Sequence, residues 1–268
     1  MAAELDQLRR QADQLAKQFK QKGYPELADT LSADSKSYGA RAKIARKLGV
    51  PEHFSTPVAP QAASKETAPT IDLRQQTYEL LSLVREPTPD EKEALKGRGI
   101  VFLPVDTKTY AQVVAEDPAH FWESELNYAN GRPVLRDYAL PVAVEIGLKP
   151  TELAMPGSFS KSQKVQLEMA EARSQELKQE FPDVRVIMLP VTGYAQWDHA
   201  YNEKFGEVAF KNYFARGLDM LSEVNAADAG RFVPSERFDV NEWDADYGSS
   251  HVALVPAVVF VKNQELAS

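Results

Sequence analysis

Ile100-Val101-Phe102-Leu103-Pro104-Val105 leads through Asp106-Thr107-Lys108-Thr109 into Tyr110-Ala111-Gln112, and Val186-Ile187-Met188-Leu189-Pro190-Val191 leads through Thr192-Gly193 into Tyr194-Ala195-Gln196. Each copy is a short apolar, β-branched run closed by Leu-Pro-Val. A threonine able to cap a helix follows, and Tyr-Ala-Gln then opens an amphipathic segment. The reading is a strand-to-helix corner used twice, consistent with an internal strand–helix duplication. The helices behind the copies differ, so it is not a solenoid repeat.

Outward from these corners, helices alternate with strands first and strands cluster late. Asp72 is placed to cap a helix carrying Leu73, Thr77, Leu80, Leu81 and Val84. Thr88-Pro89-Asp90-Glu91 has the spacing of a capping box with proline at the first helical position, and predicts a short helix ending near Gly97. The stretch with Phe121, Trp122 and Tyr128 reads as loop, and Tyr138–Leu148 as a second apolar run. The longest helix is expected from Ser160, with Gln163 completing a capping box and Leu167, Ala170, Leu177 and Phe181 buried. Strands are expected near Val208–Phe214, Gly230–Val240 and His251–Val261. The fold class is therefore α+β, a mixed β-sheet with packed helices. Proline interrupts four apolar runs, at Pro104, Pro141, Pro190 and Pro256, and each should mark a strand end, an edge or a bulge.

Before this main domain, residues 71–268, two further segments are legible. Residues 1–53 read as a coiled-coil-like helical hairpin or three-helix module, with Leu5, Leu8, Ala12, Leu15 and Phe19 forming one apolar stripe. Residues 54–70 hold three prolines among small and polar residues and read as a semi-stiff linker.

Composition removes several classes of function. With no cysteine among 268 residues there is no disulfide framework, thiolate nucleophile or Cys-based zinc site. No apolar run approaches the roughly 18 residues that a membrane span needs, and the N-terminus lacks the pattern of a secretory signal. The expected address is the cytoplasm. The net charge of −8 is uneven: residues 1–53 carry ten Lys/Arg against seven Asp/Glu, leaving 21 against 32, a balance of −11, in the rest. An acidic body repels nucleic acid. Any such contact would fall to the basic helix bearing Lys36, Arg41, Lys43, Arg46 and Lys47, and nucleic acid is not expected as a partner.

Three stretches could carry chemistry. Asp239, Asn241, Glu242, Asp244, Asp246 and His251 crowd oxygen ligands ahead of a glycine, as a calcium loop does. The spacing departs from such a loop, and a turn that bonds its own backbone uses the same residues. No cofactor is expected, with calcium or another divalent metal at this stretch as the exception. The four histidines include no pair three or four residues apart, so none forms a helical metal pair. Tyr194, Trp197 and Tyr201 read first as core and second as the wall of a ligand groove. Gly157–Ser162 could hold an anion at a helix start, although capping explains it. The leading expectation is a non-enzymatic interaction or structural protein that docks a protein partner, or itself, through residues 1–53. The alternatives are a small-ligand or metal-binding protein or hydrolase built on residues 239–251, and a nucleic-acid binder built on the basic helix.

Overall fold

A computed structural model of the chain describes residues 72–231 and 237–262. The helical module at 1–53, its basic residues Lys36, Arg41, Lys43, Arg46 and Lys47, and the linker at 54–70 lie outside the described residues. Within the described residues the chain is α+β, as its pattern predicts, with seven α-helices and two β-sheets. No helix there is long and apolar enough to cross a membrane.

The chain opens with α1 (Leu73–Leu81), β1 (Val84–Arg85), α2 (Pro89–Lys96), β2 (Val101–Val105) and α3 (Tyr110–Glu116). Their boundaries follow local chemistry. Asp72 accepts the amides of Arg74 and Gln75, and Thr88 and Glu91 form a reciprocal capping box with Pro89 in the first turn. Thr109 and Gln112 form another at the head of α3. Two short helices, α4 (Glu125–Asn130) and α5 (Pro133–Asp137), occupy the aromatic stretch expected to be loop. Next come β3 (Val144–Leu148), α6 (Gln163–Lys178), β4 (Val184–Ile187) and α7 (Val191–Phe205), then the strands β5 (Tyr213–Met220), β6 (Asn225–Arg231), β7 (Asp239–Asp244), β8 (Val252–Ala253) and β9 (Ala257–Val261).

The first sheet is antiparallel throughout and is organised by its last strand. On one edge β9 meets all of β4; on the other it meets β3 through Gly147↔Val258 and β1 through Arg85↔Phe260. β2 completes the order β2-β3-β9-β4. A two-fold rotation through the β3–β9 contact exchanges β2 with β4 and β3 with β9, so the doubled corner sits on the two outer strands of one sheet. Phe102 lies across from Gly147 and Val186 from Val258. Phe102 stands two residues before Pro104 and Val186 four before Pro190, so the second corner carries two extra residues.

Those residues change how the corner works. In the first copy Pro104 lies within β2, exposed on an edge strand where no amide is needed. In the second, β4 has ended and Pro190 is itself the N-cap of α7, so Thr192 falls inside the helix instead of capping it. Its hydroxyl donates to the Lys108 carbonyl. Gln196 bonds both the amide and the carbonyl of Asp106, at 2.7 and 3.1 Å, so the two corners are stitched together. The missing cap comes from elsewhere: Asp219 on β5 accepts the Val191 amide at 2.6 Å.

α7 packs against β2, β5, β6 and α3, and Val191–Asp198 is buried without a break. Its first half is a core segment that buries polar Gln196 and Asp198 with their partners, and its second half reaches the surface. The second sheet, in the order β7-β6-β5-β8, approaches α7 closely through small residues, with one parallel pair between β5 and β8. A Cβ on Gly217 would lie 2.6 Å from Val191 Cγ1 and 3.1 Å from the Ala227 carbonyl oxygen, so only glycine fits there. These strands depart from the expected Val208–Phe214 and Gly230–Val240. The run Ala226-Ala227-Asp228-Ala229 is buried on both faces and carries no alternation to read.

The long helix begins later than expected. Ser162, not Ser160, is the N-cap, and the Gln163 side chain reaches the Gly217 carbonyl instead of closing a capping box. Ser160 adopts a left-handed backbone with φ of 58°. α6 shields the open edge of β4, because the Ser174 hydroxyl donates to the Val186 carbonyl and accepts the Val186 amide.

Candidate functional site

β2, β3 and β9 alternate their side chains between two faces. One face, with Leu103, Val105, Val144 and Ile146, joins the core under α7, where Trp197 Nε1 donates to the Ile146 carbonyl. The other presents Phe102, Gly147, Val258 and Phe260, with Val186 beside Val258. Its cover is incomplete. Phe181, beyond the end of α6, packs edge-on against Phe260, and Phe102 lies over Gly147. Between α6 and the segment following β3 remains a groove of about 710 Å³.

Val186, Val258, Ile100 and Leu177 form its floor, each less than one-tenth exposed. Met155, Pro156 and Pro256 make an apolar lip. Arg98, Lys149 and Arg173 border the groove along with Glu152 and Glu176. Lys149 pairs with Glu152 at 2.6 Å, Arg173 with Glu176, and Arg98 with Glu180. The Arg98 guanidinium also stands 5.7 Å from the Phe181 ring centroid. All three pairs are solvent-exposed and hold their side chains weakly. Chemically the groove offers an apolar bed bordered by exposed charge, its titratable lining residues Lys149, Glu152 and Glu176 all engaged in exposed ion pairs.

The charged residues did not stand out in the sequence, and the apolar Ile100, Leu177, Val186 and Pro256 were legible only as strand or core positions. Arg98 lies three residues before β2 and Lys149 follows β3 directly. Only the pairing Val101↔Leu148 makes them neighbours. The signal was available only to a reader who already had the register.

Two polar clusters lie elsewhere. In the first, Tyr110 donates to Glu125 Oε2 at 2.8 Å. Burial, and then a hydrogen bond to Asp239, push the Glu125 carboxyl up to about 9, so it is a neutral donor to the Asp239 carboxylate. The Arg132 guanidinium stacks 3.4 Å from the Tyr128 ring centroid and faces Glu242 at 4.0 Å. In the second cluster the fold brings together two histidines far apart in sequence. The rings of His120 and His199 meet edge to face, 5.1 Å between centroids. His120 Nε2 lies 3.0 Å from Asp198 Oδ2, which also accepts Arg231, while Asp198 Oδ1 accepts the amides of Ala209 and Phe210. Burial would raise the Asp198 carboxyl, but His120 and Arg231 outweigh it and hold it below the usual carboxylate range. His199 is held by Asp117 at 3.1 Å. Asp198 thus bonds four donors of its own chain and braces α7 against β6.

The candidates at 239–251 divide between two elements. Asp239, Asn241, Glu242 and Asp244 lie along β7, which replaces the turn expected there, and Asp246 and His251 lie in the loop beyond. Asn241 donates to Asp239 at 2.8 Å along one face of β7, and beyond the strand Asp244 accepts the Asp246 amide at 2.9 Å, which is turn chemistry. Among the described residues no three His, Asp or Glu side chains are placed to hold a metal ion. This loop also answers for the anion candidate at 157–162. Ser160 N–H donates to the Ser249 carbonyl and Gln163 N–H to the Ala245 carbonyl, while Gly248 lies directly against the Ser160 backbone. Tyr194 and Trp197 are fully buried, with Tyr194 donating to the Val255 carbonyl, and Tyr201 stacks on Trp197 at 5.2 Å. They are packing, and the groove lies across the sheet from Trp197. No protein-family model matches the chain, and comparisons with curated proteins and with solved structures find no match either.

Proposed function

We propose that this is a non-enzymatic binding protein that holds an apolar or amphipathic molecule in the groove between α6 and the first sheet. One observation carries the reading: a recess of about 710 Å³ whose floor is Val186, Val258, Ile100 and Leu177 and whose border is charged. That combination of size, apolar bed and few polar groups suits a small-molecule site, which typically occupies about 300–1,000 Å³. The polar clusters support catalysis less well, because Asp198 spends its acceptors on donors of its own chain.

The neutral fluorophore Nile red tests the reading. Val258→Trp fills the floor from the sheet and Met155→Trp fills it from the lip. Each folded variant should bind Nile red at least tenfold more weakly than the parent. If either folded variant binds as well as the parent, the groove is not the binding site. Circular dichroism checks folding, and if Val258→Trp does not fold, Met155→Trp decides alone.

A further inference from the structure

Resting on that reading, we infer that the ligand is an unbranched aliphatic acid, its chain laid over Val186, Val258 and Leu177 and its anionic head at Arg98, Lys149 and Arg173. The charge pattern is the first reason. Residues 54–268 carry a balance of −11, yet the groove is lined by three cations against two carboxylates. Each of these cations has one carboxylate partner, Glu180 for Arg98, so the border is locally balanced and repels an anion less than the acidic body around it.

The state of those cations is the second reason. Lys149 and Arg173 each pair with a glutamate three residues along the same segment, and Arg98 with Glu180, which does not line the groove. Side-chain exposures in these pairs run from 39% to 61% for Arg98–Glu180 and from 42% to 49% for Lys149–Glu152. Such pairs exchange partners readily, so a ligand carboxylate can displace a glutamate without leaving a buried charge behind. The apolar stems of lysine and arginine extend the floor while their heads stay in water. Shape is the third reason. The bed is made of aliphatic side chains and prolines, no ring lines it, and nearby Phe181 is covered by Arg98 and packed on Phe260. A flexible hydrocarbon chain fits such a surface, whereas a flat aromatic ligand would have no ring to stack on.

Displacement of the fluorescent polyene cis-parinaric acid, read with dodecanoate and with dodecan-1-ol, tests the head group separately from the groove. Dodecanoate should compete at least tenfold better than dodecan-1-ol. The double variant Lys149→Gln/Arg173→Gln should erase that preference. Equal competition by acid and alcohol, with Nile red binding still sensitive to Val258→Trp or Met155→Trp, overturns the acid and leaves the groove in place. Failure of all probes to respond to those two variants removes the groove itself. A preference for dodecanoate that survives the double variant also overturns the inference, because the head would then lie elsewhere.

Discussion

Asp219 concentrates more consequence than any other residue of the core. Its carboxylate caps α7 from a neighbouring strand at 2.6 Å and accepts the Tyr78 hydroxyl at 3.2 Å, while burial pushes its carboxyl up to about 6. Asp219→Ala would leave an amide and a hydroxyl without partners, and should destabilise the protein by about 2–4 kcal/mol in urea denaturation. Asp219→Asn keeps one acceptor for Val191 and should lose less. Glu125 is the other residue with a clear linkage. An unfolded chain returns it to its ordinary value of 4.5, whereas the fold holds it near 9. Between those values the folded state binds the extra proton. The stability it contributes is therefore complete below about pH 4.5 and lost as pH rises through about 9. Glu125→Gln keeps a neutral donor for Asp239, so its melting temperature should fall less between pH 6 and pH 9 than that of the parent. An equal fall in both proteins would show that the Glu125 proton is not what titrates.

At the scale of elements, the close approach of α7 to β5 and β6 sets the tolerance of the core. Gly217→Ala drives a Cβ toward the Ala227 carbonyl and the Val191 side chain, and should cost about 1–3 kcal/mol. A thermal melt of the variant within a degree of the parent would refute the tight approach. Ser174→Ala strips both partners from the edge of β4 at Val186, with an expected loss of about 1–3 kcal/mol, again by denaturation. What could be read in advance follows the same division. The caps at Asp72 and Thr88 were legible because each is a conversation among four consecutive residues, whereas the helix expected from Thr107 starts later, capped by Thr109. The strands β5 and β6 were not, because Ala215, Gly217 and Ala226–Ala229 are small for the sake of a helix distant in sequence. Thr192 misled for a related reason: its corner is two residues longer, so the capping duty passed to Pro190 and Asp219.

For the whole molecule, the α+β class followed from the order of periodic segments, but the groove did not. Its floor is assembled from residue 100, residue 177, residue 186 and residue 258, and no local pattern links them. The doubled corner pointed to two similar strands without revealing that they flank β3 and β9, which meet between them. We propose, from the sequence alone, that residues 1–53 dock a protein partner or a second copy of the chain. Deleting them should leave the ligand groove active and lower the oligomeric state or abolish partner capture, measured by sedimentation and pull-down. If neither changes, the module has another role. The place of β9 carries one more consequence, for the order of events during synthesis. β1, β4 and the inner edge of β3 all wait on a strand that begins only at Ala257. A nascent chain emerging from the ribosome can pair β2 with β3 early, but it must keep both halves of the first sheet unjoined until β9 is out. A chain stopped before Pro256 should accordingly remain two unpaired halves and aggregate, whereas one stopped after Val261 carries the strand that joins them.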